Sequence, residues 1–240
     1  MGNTTEMIDA RNRIRKEGIM KRVFCFGVFA LVLIAGSTSA FANNKTDKVI
    51  KRAEQGDAQA QYELGLKYEN GKGIKQNIGL ALKWYRMAAE NGHVGSMIDL
   101  GWFYQNGQYV RKDIQKAIDF YVKAANQENA QAQFNLAILY DEGVDIPEDN
   151  EEANKWYLKA AEQGHAIAQL NLGVNYYRGE GVEQDYKKAW NFLNYLRMHS
   201  SNMKIRWRAR SLLDEIKAEM ELSNKFGVYS YPDWEELVNE

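Results

Sequence analysis

A single sentence is written four times in this chain, at a spacing of 36 residues. Leu64, Leu100, Leu136 and Leu172 keep that spacing without slippage, and so do Gly65, Gly101, Ala137 and Gly173. Tyr68, Tyr104, Tyr140 and Tyr176 follow, then Gly71, Gly107, Gly143 and Gly179. Ala81, Ala117, Ala153 and Ala189 come next, with Trp84, Phe120, Trp156 and Phe192 behind them. A period in this range belongs to stacked supersecondary units, each too small to bury its own apolar face.

Each unit reads as two helices. In the first copy helix A runs from about Ala58 to Asn70, with Leu64, Gly65 and Tyr68 on one face. Beside the Leu, Gly or Ala carries so little bulk that another helix can approach closely. Gly71 ends helix A, because glycine enters the left-handed C-cap conformation at little cost. Helix B opens at Asn77, Asp113, Asp149 and Asp185, whose side-chain oxygens accept from the free N–H groups of a first turn. Asp149 followed by Glu152 predicts a capping box. Two prolines in 240 residues, Pro147 and Pro232, favour helix further. The fold class expected is all-α: a right-handed α/α solenoid of four helix-turn-helix repeats plus capping helices. Residues 45–56 are expected to cap the N-terminal side. Residues 202–223 read as one longer amphipathic helix that covers the last repeat.

Residues 1–42 are of another kind. Arg11, Arg13, Arg15, Lys16, Lys21 and Arg22 precede an apolar run from Val23 to Gly36, and Ala40-Phe41-Ala42 offers the small–x–small pattern of a cleavage site. This predicts a secretory signal peptide cut between Ala42 and Asn43, with Met20 as an alternative start and an uncleaved anchor as the alternative fate. The domain plan is therefore a signal peptide over 1–42, a repeat solenoid over 43–198, and a capping helix with an acidic tail over 199–240. Cys25, the one cysteine, lies in the apolar run, so the mature chain has no thiol, disulfide or cysteine metal ligand. Of 31 basic and 32 acidic residues, 25 and 29 remain after residue 42, a balance that points to neither nucleic acid nor an anionic membrane. No membrane insertion of the mature chain is expected.

The full pattern is A-x-A-Q-x-x-L-G-x-x-Y-x-x-G-x-G, a short loop, then D-x-x-x-A-x-x-W-Y-x-x-A-A. "AQAQYELGLKYENGKGI" at 58–74 and "AIAQLNLGVNYYRGEGV" at 166–182 carry it closely. It resembles the Sel-one-like repeat, an α/α solenoid related to the tetratricopeptide repeat, over roughly residues 53–198. Tyr109 and Asp145 replace the second loop glycine in copies two and three, which predicts loops of different shape there. The resemblance implies an adaptor or scaffold for proteins, often exported in bacteria. Some members serve as host-interaction factors or as immunity proteins against secreted toxins. A cysteine-rich subgroup is associated with penicillin binding, and this chain lacks those cysteines.

On helix A, the positions two and five residues either side of the Leu form a second stripe. Its apolar members are Tyr62 and Leu66 in copy one, Ile98 and Trp102 in copy two, Phe134 and Ile138 in copy three, and Ile167, Leu170, Val174 and Tyr177 in copy four. Such solenoids turn helix A toward their concave side, so the stripe is a candidate partner-binding groove with Trp102 as its anchor. The alternative is that neighbouring A helices bury it. Asn135 and Asn171 match the asparagines that hydrogen-bond ligand backbone in tetratricopeptide-like clamps, which makes them candidate contacts. Equally, asparagine is simply the residue that this repeat uses there. The partner expected is a protein or peptide, with a toxin neutralised by an immunity protein as the narrower alternative, and no cofactor or metal is expected. His93 and His165 share one repeat position and read as structural. Ser201 to Lys204 matches the S-x-x-K pattern of penicillin-binding enzymes without its companion elements, so a cell-wall or β-lactam-acting enzyme is the third alternative and the chain is read as non-enzymatic.

Overall fold

The structure is a computed structural model that describes residues 45–226, with side chains to residue 221. The predicted signal peptide and the acidic tail lie outside the described residues. Among the described residues there are ten helices and no strand. They are α1 (residues 45–54), α2 (Ala58–Asn70), α3 (Ile78–Glu90), α4 (Val94–Asn106), α5 (Ile114–Ala125), α6 (Ala130–Glu142), α7 (Asn150–Glu162), α8 (Ala166–Arg178), α9 (Tyr186–His199) and α10 (Met203–Phe226). They divide into two compact units, one ending at Asn91 and one beginning at Gly92.

The even-numbered helices α2 to α8 are the A helices of the four repeats, and the odd-numbered α3 to α9 are the B helices. Each A helix ends on a glycine in the left-handed region, Gly71, Gly107, Gly143 or Gly179. Each B helix begins at the expected cap: the side chains of Asn77, Asp113, Asp149 and Asp185 accept from the N–H of Leu80, Lys116, Glu152 and Lys188 at 2.9–3.1 Å. The predicted capping box forms only in half. Glu152 turns to Lys155 at 3.0 Å, and the N–H of Asp149 is already donated to the carbonyl of Tyr140 at 2.9 Å. That donation recurs from Asn77 to Tyr68, from Asp113 to Tyr104 and from Asp185 to Tyr176, each at 2.9 Å, so one stitch closes the A–B loop of every repeat.

The first unit is α1 to α3. Val49, Ala53, Ala60 and Leu64 form its buried centre, with Tyr68 and Trp84 packed beside it. In the second unit Ala137, Ala153, Tyr157, Ala160, Ala168 and Leu172 make one buried cluster across α6 to α8. A second cluster joins α9 to α10 through Leu193, Leu196, Leu212, Ile216 and Met220. The C-terminal helix thus seats itself on α8 and α9 and covers their apolar side, as the amphipathic pattern predicts.

The small residue beside each Leu faces a specific neighbour. A Cβ added to Gly101 would stand 2.5 Å from Cε1 and 2.7 Å from Cδ1 of Tyr121, and one at Gly65 would meet Tyr85 at 2.7 Å. The glycine therefore makes room for the tyrosine ring of its own hairpin, which is fully buried in the first three repeats as Tyr85, Tyr121 and Tyr157. Copy two keeps the glycine-like loop that its Tyr109 was expected to change. Tyr109 adopts a φ of 62°, matching 73° at Gly73 and 65° at Gly181, and its ring packs edge-on to Phe103 at 5.3 Å. That conformation is uncommon for a bulky residue.

Candidate functional site

The buried tyrosines organise the A-helix face. Each donates its hydroxyl to the residue sixteen positions earlier on helix A: Tyr85 to Glu69 at 2.5 Å, Tyr121 to Gln105 at 2.9 Å, Tyr157 to Asp141 at 2.9 Å. Burial pushes the hydroxyls of Tyr121 and Tyr157 well above the ordinary tyrosine range, so they remain donors. Burial also raises the Asp141 carboxyl, while the Tyr157 hydrogen bond works the other way. In the fourth repeat both partners change together. Leu193 takes the tyrosine position, and Tyr177 takes the acceptor position and donates to Glu219 of α10 at 2.6 Å.

The predicted stripe is placed as follows. In the first unit Tyr62 and Leu66 are half-buried, and Tyr62 tilts against Tyr85 with ring centres 5.6 Å apart. In the second unit Ile98 is half-buried, whereas Trp102 is 44% exposed with only its edge on Phe103 at 5.8 Å. Phe134 and Ile138 are half-buried against the α6–α8 cluster, and Phe134 stacks on His165 at 4.4 Å. Leu170, Val174 and Tyr177 pack against the α9–α10 core, so in the fourth repeat these three are the seat of the C-terminal helix. Trp102 at 44% and Ile167 at 45% are thus the most exposed apolar members of the stripe, and Trp102 is the larger side chain.

The two asparagines are tied into the repeat. Asn171 donates to the Tyr157 hydroxyl at 2.9 Å, and Asn135 accepts from Gln131 at 2.9 Å and also bonds the Tyr121 hydroxyl. Asn135 and Asn171 therefore both reach back to the tyrosine of the preceding hairpin. The two histidines are helix caps. The Nδ1 atoms of His93 and His165 accept from the N–H of Ser96 at 3.0 Å and Ala168 at 3.2 Å, and burial lowers both pKa values below 6.5. Asp57 and Asn129 hold the same repeat position and do the same for α2 and α6.

Two features escaped the sequence reading. One is the role of the glutamine in A-x-A-Q. Gln61, Gln133 and Gln169 are buried, and each donates to a carbonyl eight residues earlier, Ala53, Ala125 or Ala161, at 3.0–3.3 Å. Those carbonyls lie at a helix end, where each also accepts a turn N–H, from Gly56, Glu128 or Gly164. The recurrence of Gln beside Ala was the available signal. The other is a cavity of about 710 Å³ among α7, α8 and α9, on the B-helix side, lined by Leu158, Glu162, Tyr176, Lys188, Phe192 and Tyr195 among others.

Among the described residues no group of His, Cys, Asp and Glu could hold a metal ion, and no helix is long and apolar enough to cross a membrane. Ser201 and Lys204 are both exposed, and no hydrogen bond joins their side chains; instead Asn202 caps α10 through the N–H of Lys204 at 2.9 Å. A serine nucleophile needs a base within hydrogen-bond reach.

Paired helices, closed by the same loop stitch and joined by tyrosine and glutamine bonds that each recur in three of the four repeats, define an all-α solenoid of helical hairpins, with an exposed aromatic on its A-helix face. The chain belongs to the Sel1 repeat family, whose model matches at residues 58–93, 94–129, 130–165 and 166–194. Sel1 repeat proteins are generally protein-interaction modules. A crystal structure of a protective antigen present in uropathogenic Escherichia coli strains, displaying an SLR fold, is 36% identical, with a TM-score of 0.62 over 67% of this chain and 34% of that one. A Sel1 repeat protein from Oxalobacter formigenes is 32% identical, with a TM-score of 0.64 over 71% of this chain and 49% of that one. The chain thus spans about a third and about a half of their lengths. Comparison with curated proteins gave no match.

Proposed function

We propose that this chain is an exported protein-interaction module that holds a partner polypeptide against its A-helix face. The observation that carries this reading is Trp102, a large aromatic left 44% exposed on an A helix whose other stripe residue, Ile98, is half-buried. Large aromatics that a partner can desolvate dominate binding energy at protein interfaces. Phe134 and Ile138 continue the surface, while Asn135 and Asn171 keep acceptor or donor capacity at its edge. Leu170, Val174 and Tyr177 serve it by seating α10, as Tyr62 and Leu66 serve the first unit by packing on its hairpin. Export rests on the basic and apolar pattern of residues 1–42, with cleavage after Ala42. The role requires no cofactor and no catalysis.

The test is a photo-crosslinking residue placed at position 102 in living cells, with exposed Lys83 on α3 as the control position. One discrete adduct from position 102, absent from position 83, supports the module. If that adduct is a secreted toxin, the role is immunity. No adduct from position 102, or equal adducts from both positions, overturns the A-helix reading. The mass of the cross-linked chain, beginning at Asn43 or not, decides export separately.

A further inference from the structure

The B-helix side carries a second recognition feature, visible when the repeats are compared ring by ring. In the second repeat Tyr104 and Phe120 stack at 5.8 Å, and a lysine covers each ring: Lys116 stands 5.4 Å from the Tyr104 centre and Lys123 5.6 Å from that of Phe120. In the third repeat Lys159 stands 4.1 Å from the Trp156 ring. The covering lysine comes three residues after the B-helix ring in both cases. In the fourth repeat Tyr176 and Phe192 stack at 6.2 Å, nearly parallel at 6°, and Lys188 stands 5.0 Å from Tyr176. The position that would hold the second lysine is Tyr195. Its ring turns to His199, 4.5 Å away, and stays 53% exposed. No cation covers Phe192 among the described residues.

The cavity of about 710 Å³ opens at this place. Its two formal charges are unequal in circumstance. Lys188 is matched by Asp185 at 3.2 Å. Glu162 is exposed and makes no ion pair and no side-chain hydrogen bond among the described residues. An aromatic ring and an unmatched carboxylate lining one cavity attract a cation, by the ring quadrupole and by charge. Leu158 and Tyr195 supply apolar surface for the stem of a long side chain.

We infer that this cavity receives a lysine side chain of a partner polypeptide, with its ammonium over Phe192 and within the field of Glu162. The ligand fills the place that the chain's own lysine fills in the second and third repeats. This site is separate from the A-helix face and does not depend on it.

The test uses the purified protein with its aromatic rings labelled for NMR, titrated with a blocked Gly-Lys-Gly peptide and with its norleucine counterpart. The lysine peptide is expected to shift the Phe192 and Tyr195 ring signals saturably, and the norleucine peptide to bind at least about threefold more weakly. Glu162→Gln should weaken lysine binding by about threefold or more. Tyr195→Lys, which restores the residue of the second and third repeats, should abolish it while leaving the melting temperature unchanged. Equal binding of both peptides, full binding by Tyr195→Lys, or no ring shift up to about 10 mM peptide overturns the inference. If n-butylamine binds as tightly as the peptide, the cavity reads a bare cation and the polypeptide assignment falls.

Discussion

Tyr157→Phe removes one oxygen atom and tests the polar chain that links three helices. The hydroxyl donates to Asp141 on α6 and accepts from Asn171 on α8, both at 2.9 Å. Its ring is fully buried, so phenylalanine keeps the packing. A hydrogen bond to a charged acceptor contributes about 1.5–3 kcal/mol and a neutral one about 0.5–1.5 kcal/mol. Asp141 and Asn171 are half-buried, so water replaces part of what is lost, and the lower ends of both ranges apply. The expected cost is about 2 kcal/mol, or about 4–8 °C in melting temperature for a chain of this size. Tyr121→Phe is the internal control. That hydroxyl is hydrogen-bonded to the neutral side chains of Gln105 and Asn135, with the Asp99 charge acting on it through space, so its loss should cost about 1 kcal/mol. The gap between the two variants should close in acid. Asp141 titrates above its ordinary 3.8 because of burial, and it titrates higher still once the hydroxyl is gone. The native state then binds protons that the unfolded state does not, so Tyr157→Phe loses more stability as pH rises through that window and regains it as pH falls. Urea unfolding followed by circular dichroism, at neutral and acid pH, reads both effects. If Tyr157→Phe costs no more than Tyr121→Phe at neutral pH, the charged link is not a structural bond and this reasoning is wrong.

Two further perturbations follow from the repeat itself. His93 and His165 cap their helices through an unprotonated Nδ1 and titrate below 6.5, so their stabilisation is complete above that pH and is lost as pH falls through the depressed native values. Replacing both by asparagine, the cap that the third repeat uses at Asn129, should hold stability at pH 7 and flatten its slope between about pH 7 and 5; an unchanged slope in urea titrations would assign it to other groups. Gly101→Ala and Gly173→Ala should differ in sign. At Gly101 the new Cβ meets the buried Tyr121 ring at 2.5 Å, an overpacking cost of about 1–3 kcal/mol. At Gly173 it meets the flexible Leu193 at 3.1 Å, and the gain in helix propensity of about 1 kcal/mol prevails. Equal melting temperatures for the two variants would refute the close-approach argument.

What the sequence determined by itself is everything that repeats. Spacing alone located the helices, because Leu, Gly and Tyr at helical intervals, a terminal glycine and an Asn or Asp cap act within a few residues of backbone. The histidine caps were within reach too, since Asp57, His93, Asn129 and His165 share a register and two of the four are ordinary cap residues. The tertiary structure decided what happens where the copies differ. Leu193 for tyrosine and Tyr177 for an acceptor look like two unrelated departures along the chain. In space they are one event, the replacement of a within-hairpin bond by a bond to α10. Phe134 and Trp102 are equally apolar in sequence, yet one stacks on His165 and the other stays open to solvent. The cavity beside Phe192 lies where Tyr195 turns to His199, at the position from which the second and third repeats place a lysine over the ring. A side chain's choice among neighbours depends on contacts between helices, and local pattern holds no record of those contacts.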